Sequence, residues 1–296
     1  MTNQILGFLV GAAVITTLWS VLAWALVKLF RIHSPAGRFV IFLAPLLAAF
    51  VVRLRLNPEA MLPILFLCVG VAAALLARDL LRCRALRKRI ETEARPAPAI
   101  QELVEELARS FKMRAPTALT WNQGQLGPFT GGIRRPYVVL TTELLSTLEP
   151  DELRVLLAHE LAHVRRRDAM WKWLLLFLRH LSFLNPAVHW PYRWLNLEME
   201  RSCDEAASAI TRKPGALARA LLKVESVIAK RGDSCASRRA EFLPHAESHL
   251  AARIHALATT ASTKTDWLTL LKVPAVFLIF FTICLQPAQI WLEFFN

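Results

Sequence analysis

The sequence predicts a mainly α, multi-pass membrane protein whose cytoplasmic part is an α+β domain with a small β-sheet. Apolar residues make up 55% of the 296 residues, and the mean hydropathy is +0.37. Both values are high for a soluble domain of this length and indicate several membrane segments. The basic residues behind the formal net charge of +13 crowd at the ends of apolar runs, where membrane surface and cytosol lie. We therefore expect no direct nucleic-acid binding.

Four apolar runs, at residues 5–30, 39–52, 61–77 and 267–290, are the candidate membrane spans. Three of them are long enough to cross a bilayer, whereas residues 39–52 are short for a crossing. Basic residues at the end of the first run and beyond the third stay in the cytoplasm, so the N-terminus is expected outside. We predict an N-terminal transmembrane region of three spans at residues 1–95. A last span within residues 267–296 returns the C-terminus to the outside.

Residues 96–266 are predicted to form one cytoplasmic domain. A Pro-rich stretch at residues 95–99 acts as a short hinge, and residues 100–112 have the spacing of an amphipathic helix. Short apolar segments at residues 118–121, 128–133 and 137–141 are separated by Gly and Pro, which predicts small strands. If one strand lies free at an active-site cleft, a peptide could pair with it, although plain strand packing fits the pattern equally well.

The chemistry is concentrated in one short motif. His159 and His163 are four residues apart, and Glu160 follows the first histidine. Residues four apart lie on one face of a helix, so both imidazoles can bind one metal ion with Glu160 beside its open side. Pro150 with its acidic neighbours marks the start of this helix, and the arginines at residues 165–167 mark its end. The motif predicts a hydrolytic zinc site that needs a third protein ligand.

The segment after the motif is apolar enough to suggest a further span. A single crossing would carry the rest of the chain to the other side of the membrane, away from the histidines. Arg179 and His180 also interrupt the apolar run. Pro186 would break a helix here, and tryptophans at both ends suit the headgroup level. We predict a membrane-interfacial hairpin near residues 170–195, with the chain on both sides of it in the cytoplasm.

The third ligand is sought in a predicted helix at residues 192–210. Glu200 is preferred because Asp204 lies one turn further on the same face, where it can accept a hydrogen bond from a ligand histidine. Glu198 faces another way and is expected to be solvated or salt-bridged. Cys203 has suitable chemistry for zinc but projects from a different side of the helix, so it is the minor alternative.

These segments together resemble the BlaR/MecR-type bacterial membrane metallopeptidases. The similarity lies in LAHELAHVRRRD at residues 157–168, NP at 185–186, EMERSCDEA at 198–206 and, upstream, GPFTGG at 127–132. The resemblance implies a gluzincin-type zinc protease domain on the cytoplasmic side of a bacterial inner membrane, between the third and fourth spans. It also implies one zinc ion per chain, with Glu160 as the catalytic glutamate and three ligands: His159, His163 and Glu200.

Two further expectations come with the resemblance. Sensor-bearing members of that family continue after the last span into an extracellular penicillin-binding domain, whereas this chain stops at Asn296. The activating signal is therefore expected from a separate sensor protein or from the spans. Residues 249–257 are similar to a segment that brings an arginine near the site in HtpX-like relatives, so Arg253 is a candidate catalytic residue. A salt bridge from Arg253 to Asp204 or Glu205 is the alternative.

Three functions fit the sequence. The preferred hypothesis is a zinc metalloendopeptidase that cleaves a cytoplasmic protein, for example a transcriptional repressor, in signal-dependent regulatory proteolysis. The second is a membrane quality-control protease of the HtpX-like or CAAX prenyl-protease type. The third is a non-catalytic zinc-binding membrane signalling scaffold. Glu160 argues against the scaffold, because a closed structural zinc site needs no base.

Overall fold

The computed structural model describes residues 2–29, 32, 34, 35, 37–43, 58–122, 127–230 and 246–259. The chain divides into two compact units, and each is built from separated stretches of sequence. The first unit comprises Met1–Leu81, Trp173–Met199 and Thr263–Asn296, and the second comprises Arg82–Lys172 and Glu200–Ser262. The H-E-x-x-H motif and Glu200 both belong to the second unit.

Helices make up most of the described chain. In chain order they are α1 (Thr2–Leu29), α2 (Pro58–Glu93), α3 (Pro98–Ser110), α4 (Thr142–Thr147), α5 (Pro150–Arg166), α6 (Asp168–Leu181), α7 (His189–Thr211), α8 (Pro214–Lys230) and α9 (Ala246–Thr259). The helix break predicted at Pro186 is present as a 3-10 turn, Pro186–Val188, between α6 and α7. The position of this segment relative to a membrane stays a prediction.

The first unit has an apolar interior that contains a few buried polar side chains. Asn185 donates a hydrogen bond from Nδ2 to Oγ1 of Thr16 at 2.8 Å. Nε2 of His180 lies 2.9 Å from Oδ2 of Asp79. Buried polar groups are stable only with such partners. The buried apolar side chains of this unit include Trp19, Ala23, Val27, Leu175, Leu178, Val188 and Leu195.

Membrane spans are the part of the predicted fold that the structure leaves unconfirmed. No helix among the described residues combines the length and the hydropathy that a bilayer crossing requires. The spans predicted at residues 5–30 and 61–77 therefore stay predictions. Residues 44–52 of the second run and the whole run at 267–290 lie outside the described residues.

In its described part, the second unit contains a four-stranded mixed sheet. The strands are β1 (Arg95–Pro96), β2 (Thr117–Trp121), β3 (Phe129–Gly131) and β4 (Tyr137–Thr141), in the order β1-β2-β4-β3. The β2 and β4 strands are parallel, while β3 pairs antiparallel with β4. All three predicted strands are present. An additional strand, β1, occupies part of the stretch predicted as a hinge, and its proline is tolerated because β1 lies at the sheet edge.

Helix α5, which carries the H-E-x-x-H motif, lies in the core of the second unit. Leu156, Leu157 and Leu161 are each at most 1% exposed. The helix packs against α3, α8 and β3. Full burial of one leucine side chain contributes roughly 1.5–3 kcal/mol. Apolar packing therefore fixes the position of the motif helix independently of any metal.

A buried carboxylate holds the N-terminus of α5. Glu152 has no exposed surface and accepts a hydrogen bond from the backbone N–H of Glu149 at 3.0 Å. Lys223 and Arg219 of α8 donate to the same carboxylate at 2.6 and 3.2 Å. Burial raises the pKa of Glu152, but the hydrogen bonds, led by that of Lys223, outweigh burial and leave this pKa below its ordinary value.

The sign of this shift determines how stability depends on pH. The pKa of Glu152 is lower in the folded chain than in the unfolded chain. The ionised carboxylate therefore stabilises the fold at every pH above the unfolded-state pKa. The contribution is lost as the pH falls through the folded-state pKa.

We expect Glu152→Gln to lower the free energy of unfolding by about 1–3 kcal/mol at neutral pH, because two cations lose a charged acceptor. The difference from wild type should shrink as the pH falls below the ordinary glutamate pKa of about 4.3 and through the lower folded-state pKa. Denaturant unfolding of the full chain, followed by circular dichroism, measures both effects. Glu102→Gln changes an exposed side chain of α3 and should alter stability by less than about 0.5 kcal/mol. Equal effects of the two substitutions contradict the role assigned to Glu152.

Candidate metal centre

Three donor atoms converge in the second unit. His159 and His163 lie on α5 and Glu200 lies on α7, and their donor atoms are close enough to share one metal ion. Nε2 of His159 and Nε2 of His163 are 3.2 Å apart. Oε2 of Glu200 lies 3.4 Å from the first nitrogen and 3.7 Å from the second. Both histidines are buried, whereas the Glu200 side chain is 25% exposed, which leaves the cluster accessible on that side.

These separations fit a tetrahedral zinc ion. Zinc binds histidine nitrogen and carboxylate oxygen at about 2.0–2.2 Å, so two ligand atoms of a tetrahedral site are about 3.3–3.6 Å apart. The observed separations of 3.2, 3.4 and 3.7 Å bracket that range. Two imidazoles and one carboxylate are also the donor set of zinc hydrolases that keep the fourth position for water.

Asp204 orients the ring of His159. Oδ1 of Asp204 lies 3.0 Å from Nδ1 of His159, one helical turn beyond Glu200, as the sequence spacing predicts. Arg253 of α9 donates two hydrogen bonds to the Asp204 carboxylate, from Nε at 2.8 Å and from Nη2 at 2.7 Å. This bidentate pair fixes the carboxylate. Because Nδ1 of His159 faces Asp204, its Nε2 is left for a metal.

Arg253 makes the ion pair that the sequence analysis gave as the alternative to a catalytic role. Besides Asp204, it approaches the third ligand, with Nη1 at 3.3 Å from Oε2 of Glu200. Its side chain is only 12% exposed. The catalytic role of Arg253 stays a prediction.

A residue that the sequence analysis did not single out orients the ring of His163. Nδ1 of His163 lies 2.8 Å from Oδ2 of Asp168, which is buried and also accepts a hydrogen bond from Nε of Arg166 at 3.1 Å. On a continuous helix, residues five apart point in different directions. Here α5 ends at Arg166, and the next residue, Arg167, has a left-handed φ of 56°. The chain turns there, and Asp168 begins α6 beside His163.

Cys203 lies on the Nδ1 side of His163, away from the converging Nε2 atoms. Its Sγ is 3.3 Å from Nδ1 of His163 and donates a hydrogen bond to Oδ2 of Asp168 at 3.4 Å. These three residues form a second group of donors close enough to share a metal. Burial, and then the charges of Asp168 and Glu200, raise the pKa of the Cys203 thiol well above its ordinary value. Glu200 approaches the Nε2 atoms of both histidines, whereas Cys203 approaches only Nδ1 of His163, and this geometry favours Glu200 as the third ligand.

The carboxylates make the centre attractive to positive charge. Burial lowers the pKa of His159, but Asp204 and Glu200 outweigh burial and raise this pKa to about 9. Burial raises the pKa of Glu200, but the histidines and Arg253 outweigh it and hold this pKa well below its ordinary value. A proton and a divalent cation satisfy the same negative groups, so they compete for the site.

Two further charged side chains, those of Glu160 and Lys172, lie near the candidate metal centre. Glu160 is 5% exposed, and no hydrogen bond or ion pair with another described residue engages its carboxylate. A buried, unpaired carboxylate beside a metal site is suited to proton transfer. Lys172 of α6 places Nζ 3.7 Å from Oε1 of Glu200, and its side chain is 50% exposed.

Glu198 is not part of the centre. It belongs to the first unit, where its side chain has no exposed surface and Oε1 lies 3.6 Å from Nη1 of Arg38. The expectation of a salt bridge agrees with this contact, whereas the expectation of solvation does not. Burial of this carboxylate is tolerated because a cation accompanies it.

A family model places the whole centre among known peptidases. The model of the BlaR1 peptidase M56 family matches residues 47–257, a range that includes α5, Glu200 and Arg253. The chain belongs to the BlaR1 peptidase M56 family. The resemblance to BlaR/MecR-type metallopeptidases is therefore confirmed at the level of the family.

Individual M56 and HtpX relatives align over shorter stretches. The regulatory protein BlaR1 of Bacillus licheniformis is 37% identical over 79 residues, which cover 27% of this chain and 13% of that protein. A protease HtpX homolog of Halobacterium salinarum is 38% identical over 74 residues, and one of Aquifex aeolicus is 39% identical over 77 residues. Each alignment covers 25% of this chain, and they cover 26% and 25% of the two homologs. The chain thus spans about a quarter or less of these relatives.

Removal of the carboxylate behind His163 should weaken metal binding without unfolding the chain. We expect Asp168→Asn to lower the zinc affinity about 10- to 100-fold, because the ligand ring loses its orienting partner. Competition with a chromophoric chelator measures the affinity of the purified full chain. Asp151→Asn changes an exposed aspartate that pairs with Lys213 and should keep the wild-type affinity. An Asp168 variant that binds zinc as tightly as wild type contradicts the orienting role.

Proposed function

We propose that this chain is a membrane-bound zinc metalloendopeptidase that cleaves a cytoplasmic protein in regulatory proteolysis, with one zinc ion per chain. The observation that carries the proposal is the convergence of His159 and His163 of α5 with Glu200 of α7. Glu160 lies on α5 between the two histidines. Donors spaced for a tetrahedral ion, together with a carboxylate available as a base, are what metal-assisted hydrolysis requires. Membership of a peptidase family supports the same reaction.

The chemistry divides between the metal and the chain. Zinc, when bound, would polarise the peptide carbonyl and lower the pKa of a bound water toward neutrality. Glu160 accepts a proton from the attacking water as the water oxygen adds to the carbonyl carbon. Glu160 then gives this proton to the leaving nitrogen as the C–N bond breaks, which restores its carboxylate. Asp204 and Asp168 hold the two imidazoles in position throughout.

A peptide substrate is supported by the sheet edge next to α5. In the described part of the sheet, β3 is an end strand and pairs only with β4. A cavity of about 160 Å³ adjoins this strand, and its lining includes Gly131, Ile133, His163 and Met170. An edge strand offers backbone groups to an extended peptide. The cavity would accept one side chain of that peptide beside His163.

Two biological roles have support of different kinds. The match to the regulatory protein BlaR1 favours regulatory proteolysis, in which the substrate is a transcriptional repressor and a separate sensor protein or the predicted spans deliver the signal. The matches to protease HtpX homologs favour a second candidate, quality control of membrane proteins. In both cases we place the domain predicted at residues 96–266 on the cytoplasmic side of a bacterial inner membrane, with both termini outside.

Two variants separate metal binding from catalysis. Glu160→Gln should keep one zinc per chain and cleave casein about 10²- to 10⁴-fold more slowly, because the general base is lost. His163→Ala should lose zinc and activity together. Plasma mass spectrometry gives the zinc content, labelled casein gives the rate, and Glu102→Gln is the control. A Glu160 variant with wild-type rates would end the hydrolase proposal.

The substrate class is tested in cells. New protein N-termini are compared between cells that express wild type and cells that express Glu160→Gln. A transcriptional repressor among the wild-type-specific products supports regulatory proteolysis. Misfolded membrane proteins among them support quality control, and identical N-termini in both cell lines count against both roles.

A further inference from the structure

Peptide hydrolysis places negative charge on the former carbonyl oxygen, and a donor aimed at that oxygen stabilises the transition state. Three lysine or arginine side chains lie within ion-pair distance of the carboxylates around the candidate centre in the described chain. Arg166 pairs with Asp168, and Lys172 pairs with Glu200. Arg253 pairs with both Asp204 and Glu200. These three cations are the candidates for that donor.

Both arginines bind the carboxylates that orient His159 and His163. Arg253 makes two hydrogen bonds to Asp204, and Arg166 makes one to Asp168. Moving either guanidinium toward a substrate would release a carboxylate that holds a ligand imidazole. Their side chains are also more enclosed than that of Lys172, with 12% and 30% of their surface exposed.

Lys172 is the cation with freedom to move. Its distance of 3.7 Å from Oε1 of Glu200 is longer than a hydrogen bond. Half of its side chain is exposed, and its four-carbon stem is flexible. Lys172 follows Asp168 by four residues on α6, so the face that presents Asp168 to His163 also presents Lys172 to the centre.

The chemistry of a lysine side chain suits this position. Its ammonium group carries three N–H donors and no acceptor, at the end of a flexible stem. Such a group stabilises an oxyanion by charge and hydrogen bonding without transferring a proton.

We propose that Lys172 is a catalytic residue that donates a hydrogen bond from its ammonium group to the oxyanion formed during peptide hydrolysis. This inference rests on the proposed hydrolase function. Glu160 accepts the proton of the attacking water and returns it to the leaving nitrogen, and Lys172 stays an ammonium throughout. The oxyanion forms as the water oxygen bonds to the carbonyl carbon, and it disappears as the C–N bond breaks.

The first test compares cleavage kinetics and zinc content in the full chain. Lys172→Met should lower kcat for casein about 10²- to 10³-fold, with KM and zinc affinity within about threefold of wild type. Lys172→Arg keeps a charged donor and should recover activity to within about tenfold of wild type. Lys213→Met removes an exposed lysine that pairs with Asp151 and is the matched control. If Lys172 only neutralises Glu200, zinc affinity falls while the rate per bound zinc stays constant, and the proposal is overturned.

The second test measures binding without turnover. An N-phosphoryl dipeptide carries a tetrahedral, negatively charged group that imitates the transition state. Its affinity for the zinc-loaded chain should fall in Lys172→Met by about the same factor as kcat/KM. An unchanged affinity overturns the proposal. In Arg253→Gln, we expect the main loss to be in zinc affinity, because Asp204 loses its partner.

The outcomes separate this inference from the function on which it rests. A wild-type chain that binds zinc but neither cleaves casein nor binds the phosphoryl dipeptide overturns both. A wild-type chain that does both, alongside an equally active Lys172→Met variant, overturns the role of Lys172 alone. If Arg253→Gln keeps zinc and loses kcat while Lys172→Met does not, the oxyanion donor is Arg253.

Discussion

A buried carboxylate oxygen lies within 3.0 Å of Nδ1 of His159 and of His163, and the candidate centre depends on this arrangement. Asp204 reaches His159 from α7, and Asp168 reaches His163 from the first residue of α6. With both Nδ1 atoms facing carboxylates, the two Nε2 atoms turn toward one point and lie 3.2 Å apart. The packing of α5 in the core brings the backbone to the right place, and the carboxylates select the ring orientation.

Charge balance explains why so many ionised groups are buried together. The four carboxylates of the centre belong to Glu160, Asp168, Glu200 and Asp204. Among the described residues, three lysine and arginine side chains pair with them: Arg166, Lys172 and Arg253. These cations offset the four negative charges only in part. Buried charges of one sign are costly unless opposite charge accompanies them. A divalent cation between His159, His163 and Glu200 would supply that charge, and the raised pKa of His159 reflects the same negative surroundings.

Local periodicity was enough to predict that His159, His163 and Glu200 lie close together, but it did not predict all the residues around them. The spacing of His159, His163 and Glu160 on one helix, and of Glu200 and Asp204 on another, follows from 3.6 residues per turn. The contact between Asp168 and His163 was not predicted, because it depends on the left-handed turn at Arg167. Helical spacing does not reveal that turn. Lys172 was not predicted to lie near the site, because the segment at residues 170–195 was interpreted only from its hydropathy, as a membrane-interfacial hairpin. The two-unit division joins stretches far apart in sequence, which no local pattern shows.

The identity of the third ligand is the central claim, because two overlapping groups of donors share His163. X-ray absorption at the zinc edge of the zinc-loaded full chain distinguishes them. Ligation by His159, His163 and Glu200 predicts only nitrogen and oxygen neighbours at about 2.0–2.2 Å. A sulfur neighbour at about 2.3 Å would place zinc on Cys203 instead and contradict the account.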